Sequence, residues 1–117
     1  MLGISEDSGP RGFRLDKDLD ELRSAIDEML NPQLVIIDPI SAYLGGVDSY
    51  KDSEIRSLLT PLTQLAEEYD VSVIAVSHLN KNSDKKAIHR ISGSIGFVAS
   101  ARTAFSVVQD PENAENR

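Results

Sequence analysis

Two polar residues in this chain directly follow runs of branched apolar side chains, and they are the first candidates for chemistry. Asp38 closes the stretch "LVIIDP" at residues 34–39, and His78 follows "VSVIAVS" at residues 71–77. A carboxylate at the end of a buried strand sits where a hydrated magnesium ion can be held, because magnesium takes carboxylate oxygens and keeps several waters. The plainer alternative is that Asp38 caps the Pro39-Ile40-Ser41 turn, and the hexapeptide leaves the two readings evenly balanced. A lone histidine is more often a structural residue than a functional one. The apolar strand ahead of His78 raises its standing, since a polar group there could read a phosphate and pass its state to the next loop. Lys81, Lys85, Lys86, His89 and Arg90 form a basic stretch suited to a polyanion, although so short a run is more commonly a solvated loop. Arg102 precedes the apolar "TAFSVV", and nothing local separates a functional arginine from a surface salt-bridge residue.

The elements that must position these residues are legible from periodicity. Leu19, Leu22, Ile26 and Leu30 recur at helical spacing behind Asp16 as a candidate N-cap, with acidic Asp18, Asp20 and Glu21 where the helix dipole favours them. Asn31-Pro32 ends this helix. Residues 34–38 form a strand whose unbroken aliphatic run predicts cover on both faces. After a loop containing Gly45-Gly46, Ser49 is placed to cap a second helix, with Asp52 as its capping-box partner. Ile55, Leu58, Leu59, Leu62, Leu65 and Ala66 mark the buried stripe of that helix, and Pro61 inside it predicts a kink or a split. Residues 71–77 form a second strand. "SGSIGFVASAR" suits a short helix, and residues 103–108 read as a third strand. Residues 1–14 are expected to be irregular apart from a short strand near residues 12–15, and residues 110–117 to be a solvated tail.

This order gives an α/β fold with a mainly parallel sheet flanked by helices, in one domain spanning residues 15–109. Functional residues gather at the carboxyl ends of the strands in such sheets. Asp38 and the Ser77-His78 pair are therefore expected on one rim.

Composition narrows the function classes. The 117 residues suit a single domain, and 40% hydrophobic content is ordinary for a globular protein. With no cysteine there is no disulfide, thiolate metal site or thiol catalysis, and a cytoplasmic setting suits the chain better than a secreted one. No apolar run approaches the roughly 20 residues needed to cross a bilayer, so no membrane partner is expected. A net charge of -7 argues against a broad electrostatic grip on nucleic acid. Four of the twelve Lys and Arg nevertheless fall between residues 81 and 90, so any such contact would be local.

Taken in order, "LVIIDPISAYLGG", "RSLLTPLTQLAEEYDVSVIAVSHLNK" and "RISGSIGFVASARTAFSVVQDPE" resemble the RecA-like P-loop ATPases. The resemblance points to the branch of RepA-type hexameric replicative helicases and related phage or plasmid ATPases, and covers roughly residues 15–112. It implies that Asp38 is the Walker B aspartate of the magnesium shell and that His78 is the polar sensor of the γ-phosphate or the attacking water. Asp38 and His78 would then touch ATP and magnesium in the parent protein. It further implies that the loop carrying Lys81, Lys85, Lys86 and Arg90 faces single-stranded DNA. Arg102 would be an arginine finger aimed at a neighbour's site, a role worth about 10³ to 10⁵ in rate.

The chain departs from the family pattern at its phosphate-binding end. No GxxxxGK[ST] occurs: Gly45-Gly46 is followed by Val47-Asp48, and "SGSIGF" has no lysine. The family's catalytic glutamate has no recognisable counterpart, Glu6 being too near the irregular start to carry that role. The expectation is therefore the C-terminal half of a helicase-type ATPase core, a fragment or a degenerate relative, unable to hydrolyse ATP alone. Its exposed apolar surface would favour self-association. A non-catalytic α/β assembly or partner-binding module is the competing reading. A phosphoacceptor domain with Asp38 as nucleophile is weaker, because it needs an acidic pair and a lysine that are not evident.

Overall fold

The computed structural model describes residues 3–6, 9–78, 95–113 and 115. Strands β1 (Gly3–Glu6) and β2 (Gly9–Gly12) form an antiparallel hairpin, with Gly3 opposite Gly12 and Glu6 opposite Gly9. Regular structure therefore occupies residues expected to be irregular, and the strand anticipated near residues 12–15 lies earlier in the chain.

Helix α1 spans Leu19–Glu28 and opens at Asp18 rather than Asp16. The Asp18 carboxylate does not cap the helix amides. It accepts both guanidinium nitrogens of Arg11, at 2.6 and 2.7 Å, and the Arg14 backbone N–H at 2.8 Å. Leu22 and Ile26 are buried as their spacing predicts, but Leu30 lies past the helix end and is fully exposed. Asn31 follows with φ +56°.

Strands β3 (Leu34–Ile37) and β4 (Ser72–Ala75) pair in parallel, with Leu34 beside Ser72 and Ile37 beside Ala75. The 17-residue helix α2 (Asp52–Glu68) joins them by way of a 3₁₀ turn at Ile40–Tyr43. Lys51 occupies the α2 cap position and no side chain caps the helix, so Ser49 does not play that part. Pro61 neither splits nor ends α2. One missing N–H is outweighed by the packing of Ile55, Leu58, Leu59, Leu62 and Leu65, all buried on the same stripe.

Those side chains join Leu15, Leu22, Ile26, Ile37, Ile40 and Leu44 in one core, with Val35 and Val73 packed against it. Among the described residues, the helices therefore cover only one face of the sheet. On the other face Leu34, Ile36 and Ile74 are 47%, 61% and 50% exposed, contrary to the two-sided cover expected of the aliphatic run. Branched residues suit either face of a pleated strand, so their identity does not reveal which face is covered.

Helix α3 (Gly96–Ser100) packs on α2, and the Gly96 N–H donates to Asp52 Oδ1 at 3.2 Å. Residues 103–108 form no strand, and Phe105 and Val107 are 91% and 75% exposed. Their apolar pattern predicts a strand, but pairing depends on a neighbouring edge that this arrangement does not bring to them.

Candidate functional site

The candidate site is the carboxyl rim of the β3–β4 pair. The parallel register continues one step beyond the strands, where the Val76 N–H donates to the Ile37 carbonyl at 2.8 Å. The chain then turns through a cis Asp38–Pro39 peptide, and the Ile40 N–H donates back to the Val76 carbonyl, also at 2.8 Å. These two bonds bracket Asp38, which is held beside the point where β4 runs out into Val76, Ser77 and His78. The expected meeting of Asp38 with the Ser77-His78 pair on one rim is thus what the backbone register produces.

Asp38 and His78 are both exposed, and Ser77 is half-buried. The Asp38 carboxylate makes no hydrogen bond or ion pair with any described residue. It does not cap the turn that follows it, which weakens the plainer reading of the residue. Its main chain is nonetheless firmly placed, because Ile40 and Leu44 are buried just beyond it at 3% and 6% exposure.

The loop after Asp38 is tied to the start of the chain by contacts the sequence did not announce. The Leu15 N–H donates to the Tyr43 carbonyl at 2.8 Å, and the Phe13 and Tyr43 rings meet edge to face at 6.2 Å. Asp16 accepts from the Arg14 guanidinium at 3.0 and 2.7 Å. Gly45, with φ +68°, lies under that pair so closely that a Cβ would come within 2.6 Å of Arg14 Nε. The hydrogen bond from Arg14 holds the Asp16 carboxyl below its usual range against the opposing effect of burial, with help from the Gly46 amide. The same pairing raises the Arg14 guanidinium further. Gly45-Gly46 was the visible signal in the sequence; its partners across about 30 residues were not.

The remaining candidates do not join the rim. Arg102 is 89% exposed and pairs with Glu67 at 3.3 Å, beside the carboxyl end of α2. That end leads into the amino end of β4, so within one chain Arg102 lies at the opposite end of the strand from His78. Lys81, Lys85, Lys86 and Arg90, with His89, lie outside the described residues. Among the described residues no group of three or more His, Asp or Glu side chains is arranged to hold a metal. A groove between the entry to α1 and α2 is lined by Leu15, Leu19, Val47, Leu58 and Pro61, and no rim residue borders it.

One carboxylate at a solvent-facing strand end, with a hydroxyl and an imidazole on the neighbouring strand end, fits an open magnesium site completed by phosphate and water. It does not fit a closed protein cage. A family model described as an AAA domain matches residues 3–84. No curated protein and no solved structure matches the chain. The match includes the hairpin, α1, both parallel strands and the whole rim. The chain belongs to the AAA domain family, a P-loop ATPase-like group.

Proposed function

We propose that this chain supplies the metal and γ-phosphate edge of an ATP site. Asp38 would hold the magnesium shell and His78 would contact the terminal phosphate or its attacking water. The observation that carries this reading is the Asp38 carboxylate, exposed and unpaired among the described residues, fixed by register beside the strand that ends in Ser77-His78. Magnesium, when bound, would neutralise charge on the phosphates. The residues of this chain would orient that ion and the nucleotide's outer phosphate.

The 117 residues contain no GxxxxGK[ST]. On this reading the phosphate-cradling amides and lysine would be supplied from outside these residues, and the chain alone is not expected to turn over ATP. In the complete protein we assign the work to DNA replication or recombination of the helicase type, in the cytoplasm. Lys81, Lys85, Lys86 and Arg90 would contact single-stranded DNA, and Arg102 would act on a neighbouring subunit. The position of Arg102, away from its own chain's rim, suits action in trans. A non-catalytic assembly module is the second reading, favoured by the bare sheet face at Leu34, Ile36 and Ile74.

Manganous ion is a paramagnetic stand-in for magnesium, and its titration with ATP into isotope-labelled protein tests the site. Selective broadening of the amide signals of Asp38, Ile40 and residues 76–78, lost in Asp38→Asn, is the expected result. Broadening that survives Asp38→Asn, or that falls elsewhere, would overturn the assignment. ATP hydrolysis by the chain that disappears in Asp38→Ala would show that phosphate is bound without a P-loop.

A further inference from the structure

Asp38 is exposed, yet the loop that follows it is fastened at both ends. At the near end the Ile40 N–H donates to the Val76 carbonyl at 2.8 Å, and Ile40 is buried. At the far end the loop lies against residues 13–16. The Leu15 N–H donates to the Tyr43 carbonyl at 2.8 Å, and the Arg14–Asp16 pair sits over Gly45. Between the two ends runs one 3₁₀ turn, Ile40–Tyr43, closed by the Ala42 N–H on the Pro39 carbonyl at 3.1 Å. Ile40 and Leu44 are packed in the core, and packed interiors transmit displacement rather than absorb it. A shift at Gly45 is therefore passed back to Pro39 and Asp38.

The Arg14–Asp16 pair is built to hold that far end. Arg14 Nε and Nη2 meet the two oxygens of Asp16 at 3.0 and 2.7 Å, a fork-to-fork geometry that fixes direction as well as distance. A fully exposed ion pair contributes little, but these side chains are only 31% and 20% exposed. The Arg14 guanidinium and the Gly46 amide both favour the charged form of Asp16. The flanking residues are held too: Leu15 is buried, and Asp18 accepts the Arg14 N–H at 2.8 Å and both Arg11 nitrogens. Gly45, at φ +68°, leaves space for the pair that a side chain would take.

We propose that the Arg14–Asp16 pair is a latch that holds Asp38 at the rim, acting through Gly45-Gly46 and the 3₁₀ turn. Arg14 and Asp16 are positioning residues, because they act through the loop and not on the ion or the phosphate. That the latch serves a metal rests on the nucleotide reading; that it holds Asp38 rests on these contacts alone.

Native-state hydrogen exchange on the full chain, beside Asp16→Asn and Arg14→Gln, tests the latch. The Ile40 and Val76 amides report the two hydrogen bonds that bracket Asp38, and the Leu62 and Leu65 amides report α2. In both variants Ile40 and Val76 are expected to exchange about tenfold faster, with α2 changed by less than about twofold. Arg14→Lys keeps the charge without the fork and should fall between these variants and the wild type. With ATP present, the manganous-ion dissociation constant should rise about tenfold in Asp16→Asn and Arg14→Gln, in line with the loosened rim. Unchanged exchange at Ile40 and Val76 overturns the proposal. So does a rise shared equally by α2, which would make the pair a general stabiliser. Wild-type ion affinity in variants with a loosened rim overturns it as well. If the wild type shows no ion broadening at the rim, the nucleotide reading fails and the exchange pattern alone decides the latch, so the two fail separately.

Discussion

Asp18 is a carboxylate only 5% exposed, and its stability depends on a partner seven residues back in the chain. Arg11 donates two hydrogen bonds to it and the Arg14 N–H a third, which holds the Asp18 carboxyl below its usual range against the cost of burial. Replacing Arg11 by Ala leaves that carboxylate under-paired, at an expected cost of about 1–3 kcal/mol in urea unfolding. The pH dependence follows from the direction of the shift. A depressed folded-state value means that the unfolded chain binds more protons as pH falls, so the contribution is present above the ordinary carboxylate range. It is lost between about pH 5 and pH 2. Asp16, also lowered, acts in the same direction. Unfolding midpoints across that range should fall less steeply in Asp18→Asn than in the wild type. Gly45 is the other position where one atom decides the outcome. At φ +68° a side chain is strained and also meets the Arg14–Asp16 pair, so Gly45→Ala is expected to cost about 1–2 kcal/mol in the same assay.

Helix α2 shows how an element tolerates local conflict. Pro61 cannot donate to the Ser57 carbonyl, while the hydroxyls of Thr60 and Thr63 bond back to the carbonyls of Arg56 and Leu59. The buried stripe holds the helix together regardless. Because Pro61 is exposed, Pro61→Ala is expected to raise stability by about 1–3 kcal/mol, read as a higher urea midpoint. The carboxyl end of α2 closes in a Schellman arrangement. The Val71 N–H reaches the Ala66 carbonyl at 3.0 Å and the Asp70 N–H reaches that of Glu67 at 3.4 Å, with Asp70 at φ +52°. Glycine is the usual residue there, which is why "EEYDV" did not announce the motif. Asp70→Gly should stabilise by about 0.5–1 kcal/mol by removing the Cβ strain.

At the scale of the whole molecule, the described residues leave the sheet with one covered face and one exposed one. Ile36 and Ile37 are neighbours of identical chemistry on opposite faces, 61% and 7% exposed. Ile37→Ala should cost about 2–5 kcal/mol, as expected for a core deletion. Ile36→Ala, measured on dilute protein, should stay within about 1 kcal/mol of wild type. Equal costs for the two would show that the second face is covered as well.

The presence and order of α1, α2, β3 and β4, and the position of Asp38 at a strand end, were readable in the sequence because hydrophobic period is a local property. The rim was readable for a related reason: a helix joining two parallel strands leaves their carboxyl ends side by side. Other features depended on residues far apart in the chain. The same aliphatic run serves a one-sided or a two-sided strand, and only the packing of α1 and α2 selected the face that Ile37 occupies. The strand pattern of residues 103–108 found no edge, Arg102 settled on Glu67, and Arg11 met Asp18. Pairing and burial are set by which surfaces meet, and side-chain identity alone does not carry that information.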